Sequence, residues 1–111
     1  MISVIMGLAL AAGPFAEFII LYAGYVTQVK CSGRLLVSAI GNDRLVILEP
    51  LPKDLGCGVV LKPTGIAGRT NLLLETSTGP ISLMVDVRAG GIPKPEQLTI
   101  EVTSRFAGGR E

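Results

Sequence analysis

Residues 71–88, NLLLETSTGPISLMVDVR, contain two apolar segments separated by a turn, and this stretch decides the fold. In its second half apolar and polar residues alternate, which is the period of a β-strand with one buried face. The residues at 77–80, STGP, favour a tight turn, so the pattern predicts a β-hairpin. In the second strand Ile81, Leu83, Val85 and Val87 are predicted to face inward, and in the first strand Leu72 and Leu74 share one face while Leu73 lies on the other.

Similar short segments lie on both sides of this hairpin. They are rich in aliphatic and β-branched residues, and Gly, Pro, Asn and Asp separate them. The residues at 41–43, GND, tolerate positive φ and predict a hairpin connection, whereas 64–69, TGIAGR, predict a wide turn. The other predicted strands cover 17–24, 25–31, 34–40, 44–49, 59–62 and 97–105.

These segments predict an all-β fold, because no convincing amphipathic helix follows residue 30. Short strands with frequent turn signals are typical of a β-sandwich or a small barrel, and we expect a small antiparallel β-sandwich of seven to eight short strands. We expect this single domain to span 17–105, with a flexible tail at 106–111.

An apolar leader, residues 1–16, precedes the predicted domain. Its run 2–12, ISVIMGLALAA, has the length and composition of the apolar region of a secretory signal. No positive charge precedes the run, and it is shorter than the roughly 20 residues that span a bilayer. Export signal, membrane anchor and first element of the fold are therefore the three interpretations.

Cys31 and Cys57 are the only two cysteines of the chain. An even count in an exported protein predicts a disulfide, and the alternative is a pair of buried free thiols. Two cysteines without any histidine cannot complete a structural zinc site.

The sequence contains no recognisable catalytic group. Histidine, the commonest general base and metal ligand, is absent. Gly65 and Gly68 are not followed by the Lys-Ser/Thr pair of a phosphate-binding loop. Ten basic and nine acidic residues give a formal charge of +1, without the basic surface that nucleic acids require. We therefore predict a protein that is not an enzyme, with no cofactor, no metal and no nucleic-acid partner.

Three segments resemble the N-terminal domain of the TrbG/CagX-like proteins, which are outer-membrane-proximal subunits of type IV secretion and conjugation machines. They are GNDRLVILE at 41–49, VVLKP at 59–63 and RTNLLLETSTG at 69–79. The pattern G-x-x-L-V at 33–37 precedes them, an alternating strand follows them, and the resemblance covers 17–88. In that family a strand ends in Lys-Pro, and Thr-Asn-Leu opens the next strand. The matching positions here are Lys62, Pro63, Thr70, Asn71, Leu72 and Thr76.

The resemblance implies that Pro63 ends strand pairing and that Thr70 and Asn71 bond the loop onto the next strand. It also implies a periplasmic or outer-membrane-associated structural subunit that docks to copies of itself and to other secretion-complex subunits. Membrane contact would then occur only through an uncleaved leader.

Two other classes of function remain. One is a stand-alone exported β-domain, such as a secretin-like N-terminal module, a pilus-assembly factor or an adhesion domain. The other is an enzyme or small-ligand binder, which would require a deep apolar pocket with converging polar groups.

Overall fold

The computed structural model describes residues 17–104, which form two packed four-stranded sheets. The predicted leader, 1–16, and the predicted tail, 106–111, lie outside the described residues. The prediction of an all-β sandwich with seven to eight short strands is confirmed, since eight strands are present in the described part. They are β1 (Glu17–Tyr22), β2 (Thr27–Lys30), β3 (Leu35–Ile40), β4 (Val46–Pro50), β5 (Gly58–Pro63), β6 (Gly68–Thr76), β7 (Gly79–Arg88) and β8 (Thr99–Glu101), with 3₁₀ helices at Lys53–Leu55 and Pro95–Gln97.

Sheet I has the strand order β1–β7–β6–β3, and sheet II has the order β4–β5–β2–β8. Four neighbouring pairs are antiparallel, but β1–β7 and β2–β8 are parallel. Both sheets are therefore mixed, whereas the alternating pattern predicted antiparallel sheets. The difference arises because the chain crosses between the sheets after β1 and after β7, so these strands are not joined as hairpins.

The β6–β7 hairpin forms as predicted, with Thr76 paired to Gly79. The Thr76 hydroxyl donates a hydrogen bond to the Gly79 carbonyl (2.9 Å) and accepts the Thr78 N–H (3.1 Å), which fixes the turn. The four residues predicted to face inward on β7 are all buried, and the face of β6 that Leu72 and Leu74 share is the buried one. This hairpin is the centre of sheet I.

The hairpin predicted at 41–43 is wrong, because β3 and β4 belong to different sheets. A local turn does form there: the Arg44 N–H donates to Asn42 Oδ1 at 3.0 Å. The turn residues were therefore recognised correctly, but the turn carries the chain across the sandwich.

One hydrophobic core lies between the sheets. Leu21, Leu72 and Leu74 of sheet I pack in the same cluster as Val29 and Leu61 of sheet II, and all five are fully buried. Valine, leucine and isoleucine fill this core because their branched side chains pack well between pleated sheets. Because the inner faces of both sheets are buried in this core, the described fold can contact other molecules only through its outer faces, its sheet edges and its two ends.

The connections divide into two ends of the sandwich. The disulfide end carries 31–34, 51–57 and 77–78, and the loop end carries 23–26, 41–45, 64–67 and 89–98. At the disulfide end Cys31 and Cys57 are bonded, with their Cα atoms 5.0 Å apart, which confirms the predicted pairing. The bond joins β2 and β5 just beyond their last pair, Lys30 and Gly58.

Candidate docking surface

The outer faces of the two sheets differ in character. On sheet II most outward positions are polar, and Lys62 Nζ lies 3.1 Å from Glu49 Oε1 across two strands. On sheet I four large apolar side chains are exposed, from 36% to 57% of their surface. These four are Phe18, Leu36, Val37 and Leu73. The outer face of sheet I is therefore the more apolar of the two.

Leu36, Val37, Ala39 and Leu73 form a contiguous group at the β3 side of this face, which we call the β3/β6 apolar patch. Ala39 pairs with Leu73, and Val37 pairs with Glu75, so these positions share one face. The register shifts between Leu35 and Val37, which makes Leu36 the extra residue of a β-bulge. The bulge brings Leu36 out of the ladder, where its side chain is 55% exposed.

On the β1 side of the same face, the aromatic ring of Phe18 lies against the positively charged side chain of Arg69. The Arg69 guanidinium lies 5.2 Å from the centroid of the Phe18 ring, within range of a cation–π contact. Asp86 lies beside Arg69 in the β6–β7 register, and its Oδ2 is 3.6 Å from Arg88 Nε. A strip of alternating charge, formed by Arg69, Asp86 and Arg88, therefore lies beside Phe18.

A cleft of about 330 Å³ opens at the disulfide end. It is lined by the disulfide and by both apolar and polar residues, namely Lys30, Ser32, Leu55, Gly56, Glu101, Val102 and Thr103. Lys30 and Glu101 are both exposed and lie side by side in the parallel β2–β8 register. The lining is therefore mixed, without the predominantly apolar character that small-molecule sites usually have.

Within residues 17–104 no group of three or more His, Cys, Asp or Glu side chains could hold a metal ion. Over the same residues there is no helix with the length and hydrophobicity needed to cross a membrane.

The motif residues of the resemblance occupy structural positions around β5 and β6. Pro63 is the last residue of β5, and Lys62 makes the ion pair with Glu49. Because β6 already begins at Gly68, Thr70 and Asn71 lie inside the strand. The hydrogen bond between this part of β6 and the loop at 41–45 is a backbone one: the Gly41 N–H donates to the Asn71 carbonyl at 2.9 Å. Leu72 is in the core, and Thr76 holds the hairpin turn.

Sequence reasoning missed the exposed patch, although one signal for it exists. In RLLVSAI, residues 34–40, three consecutive apolar residues break the alternation of a half-buried strand. Such a run fits a bulge, which lets two neighbouring side chains point outward. The Phe18–Arg69 contact had no comparable signal, because it joins β1 and β6 across β7.

A comparison of the chain with models of known protein families finds no matching family, and a comparison with curated proteins finds no significant match.

Proposed function

We propose that this chain is a non-enzymatic structural subunit of a type IV secretion or conjugation machine, which docks to its neighbours through the outer face of sheet I. The observation that carries the docking role is the β3/β6 apolar patch. The assignment to a secretion machine rests on the resemblance at 41–49, 59–63 and 69–79.

The arrangement of the patch supports docking more than its composition alone. Single exposed apolar residues are normal on protein surfaces. Here, however, Leu73 and Ala39 are directly paired, and Val37 follows on the same face. A contiguous apolar area with a polar border is the usual composition of a protein interface.

The Cys31–Cys57 bond is consistent with an oxidising, exported compartment. A subunit of the proposed machine would have to be exported to the periplasm or to the outer membrane. Three observations therefore support the proposal: the β3/β6 apolar patch, the Cys31–Cys57 bond and the sequence resemblance.

The test is complementation of a strain from which the gene is deleted. We expect deletion to abolish transfer of DNA or protein to recipient cells and the wild-type gene to restore it. Val37→Lys places a charge in the patch, and we expect it to reduce transfer at least about tenfold, since tenfold corresponds to roughly 1.4 kcal/mol of binding.

Ile47→Lys is the matched control, because Ile47 is 48% exposed, as Val37 is, but lies on sheet II. We expect it to restore transfer fully. Normal transfer by the deletion strain would refute the secretion role. Equal transfer by the two variants would refute docking through the patch.

A stand-alone exported β-domain is the second candidate function. It is favoured by the single core, to which both sheets contribute, and by the disulfide. This second function would be favoured if the chain is exported and its cysteines are oxidised, while deletion of the gene leaves transfer to recipient cells unchanged.

A further inference from the structure

We propose that the outer edge of β1, which residues 17–104 leave unpaired, is a second docking site, and that its occupant is β1 of a second copy of this chain, paired antiparallel about Ile20. The inference rests on the proposed docking role and names one of its partners. It concerns the edge of sheet I, whereas the β3/β6 apolar patch lies on its face.

The four edge strands of the described fold differ in how they prevent pairing. β3 has a bulge at Leu36, β4 contains Pro50, and β8 has only three residues. Bulges, prolines and short edge strands are the common devices against edge-to-edge association. β1 has none of them: its six residues, EFIILY, pair regularly with β7 and contain no Pro, Gly or Lys.

The backbone direction of β1 is defined by the bond that follows it. The Ala23 N–H donates to the Arg88 carbonyl at 2.9 Å, so Ala23 faces β7. Because N–H and C=O directions alternate along a strand, Leu21 and Ile19 face β7 as well. The N–H and C=O groups of Phe18, Ile20 and Tyr22 consequently point to the free edge.

The sequence of β1 is complementary to itself in one register. With Ile20 opposite Ile20 of the second copy, Phe18 lies opposite Tyr22 on each side of the centre. The residues that face each other are those whose backbone groups point to the edge, so they form hydrogen-bonded pairs. Directly opposite aromatic residues are a favourable cross-strand pair. The pairing unites two copies of sheet I into one eight-stranded sheet.

The expected association is weak. Ile19 and Leu21 are 2% and 0% exposed, so pairing removes little more of their surface from water. The Tyr22 carbonyl already accepts a hydrogen bond from the Tyr25 N–H at 3.0 Å. In the dimer it would have to accept a second hydrogen bond, from the other copy. A contact of five residues per copy buries less than the about 800 Å² per partner of a standard interface. We therefore expect a dimer that forms at micromolar or higher concentration.

The test uses sedimentation equilibrium of the full chain, alone and as variants at Ile20. We expect the wild type to form dimers as its concentration rises. Ile20→Lys and Ile20→Glu each place two like charges opposite one another, and we expect either to raise the dissociation constant at least about tenfold. An equimolar mixture of the two variants should dimerise again, because Lys then faces Glu.

The rescue by mixing separates this contact from misfolding, since two unfolded variants would not restore a specific dimer. Hydrogen exchange gives a second readout: the Phe18, Ile20 and Tyr22 amides should become protected as the dimer forms. Ile47→Lys is the control, because Ile47 is 48% exposed but lies on sheet II, away from both the patch and the β1 edge. We expect it to dimerise like the wild type.

Three results would overturn the inference. The wild type could remain monomeric at high concentration, or the mixture could fail to restore the dimer. Dimerisation only after removal of residues 1–16 would assign the edge to that segment instead. None of these results would alter the transfer assay with Val37→Lys, so failure of this contact and failure of the proposed function are distinguishable.

Discussion

At the residue scale, Thr27 introduces a polar group into the core. The side chain is fully buried on β2, opposite Leu61. Among residues 17–104 its hydroxyl has no hydrogen-bond partner. A buried hydroxyl without a partner costs about 1–3 kcal/mol relative to its hydrated state. Thr27 should therefore lower the stability of a core that is mainly aliphatic.

We predict that Thr27→Val raises the free energy of unfolding by about 1 kcal/mol, because valine has nearly the same shape and no hydroxyl. For a domain of this size the melting temperature should rise by about 4–8 °C. Urea and thermal unfolding measure both quantities. Thr27→Ser is the control: it keeps the hydroxyl, loses a methyl group and should be less stable than the wild type. A loss of stability in Thr27→Val would mean that the hydroxyl has a partner.

At the element scale, the disulfide ties the β2–β5 pair of sheet II together. Lys30 is paired with Gly58; Cys31 directly follows Lys30, and Cys57 directly precedes Gly58. The Cys31 N–H also donates a hydrogen bond to the Cys57 carbonyl at 3.0 Å. The bond therefore continues the ladder by one position. It encloses β3, β4 and the connections around them in a covalent loop.

We predict that Cys31→Ala combined with Cys57→Ala lowers the free energy of unfolding by about 3–4 kcal/mol. The bond closes a loop over a separation of 26 residues, and the estimate follows from the chain entropy that this loop removes from the unfolded state. Urea unfolding of the wild type with and without reductant should reproduce the same difference. Equal stability of the oxidised and reduced chains would contradict the prediction.

Strand positions could be predicted from the sequence, but strand partners could not. The alternation from Ile81 to Val87 depends only on local burial, and it identified β7 and its inner face. The partner of β1 is β7, some 66 positions away in the register of Glu17 with Leu83, and no local pattern encodes that choice. The hairpin predicted at 41–43 failed for the same reason.

The candidate docking surface was even less accessible to sequence analysis. The β3/β6 apolar patch requires the bulge at Leu36 and the pairing of Ala39 with Leu73, both of which exist only in the assembled sheet. The prediction of the disulfide succeeded because it needed only the count of cysteines and an assumption about the compartment.

At the scale of the whole molecule, the described fold has two unlike faces and two unlike ends. Sheet I presents exposed apolar side chains, whereas sheet II presents mainly polar ones. The disulfide lies at one end, and the four connections of the loop end lie at the other. Surface differences of this kind are expected of a subunit that meets different neighbours on different sides.

We predict that the full chain becomes oxidised in cells, because the proposed export would deliver it to a compartment where Cys31 and Cys57 can bond. The measurement is alkylation of thiols under denaturing conditions, since Cys57 is only 6% exposed in the folded chain. Neither cysteine should react until a reductant is added. A variant without residues 1–16 is the control and should remain reactive. Reactive thiols in the full chain would contradict export.

The described chain leaves the fold beside the disulfide. β8 ends at Glu101, opposite Lys30, and residues 101–103 line the cleft there together with Cys31 and Cys57. A tether attached after Ser104 would therefore hold the molecule by its disulfide end. The opposite tip, with Tyr25, Ile66 and Ile92 exposed on three separate loops, would then project furthest from the anchoring point.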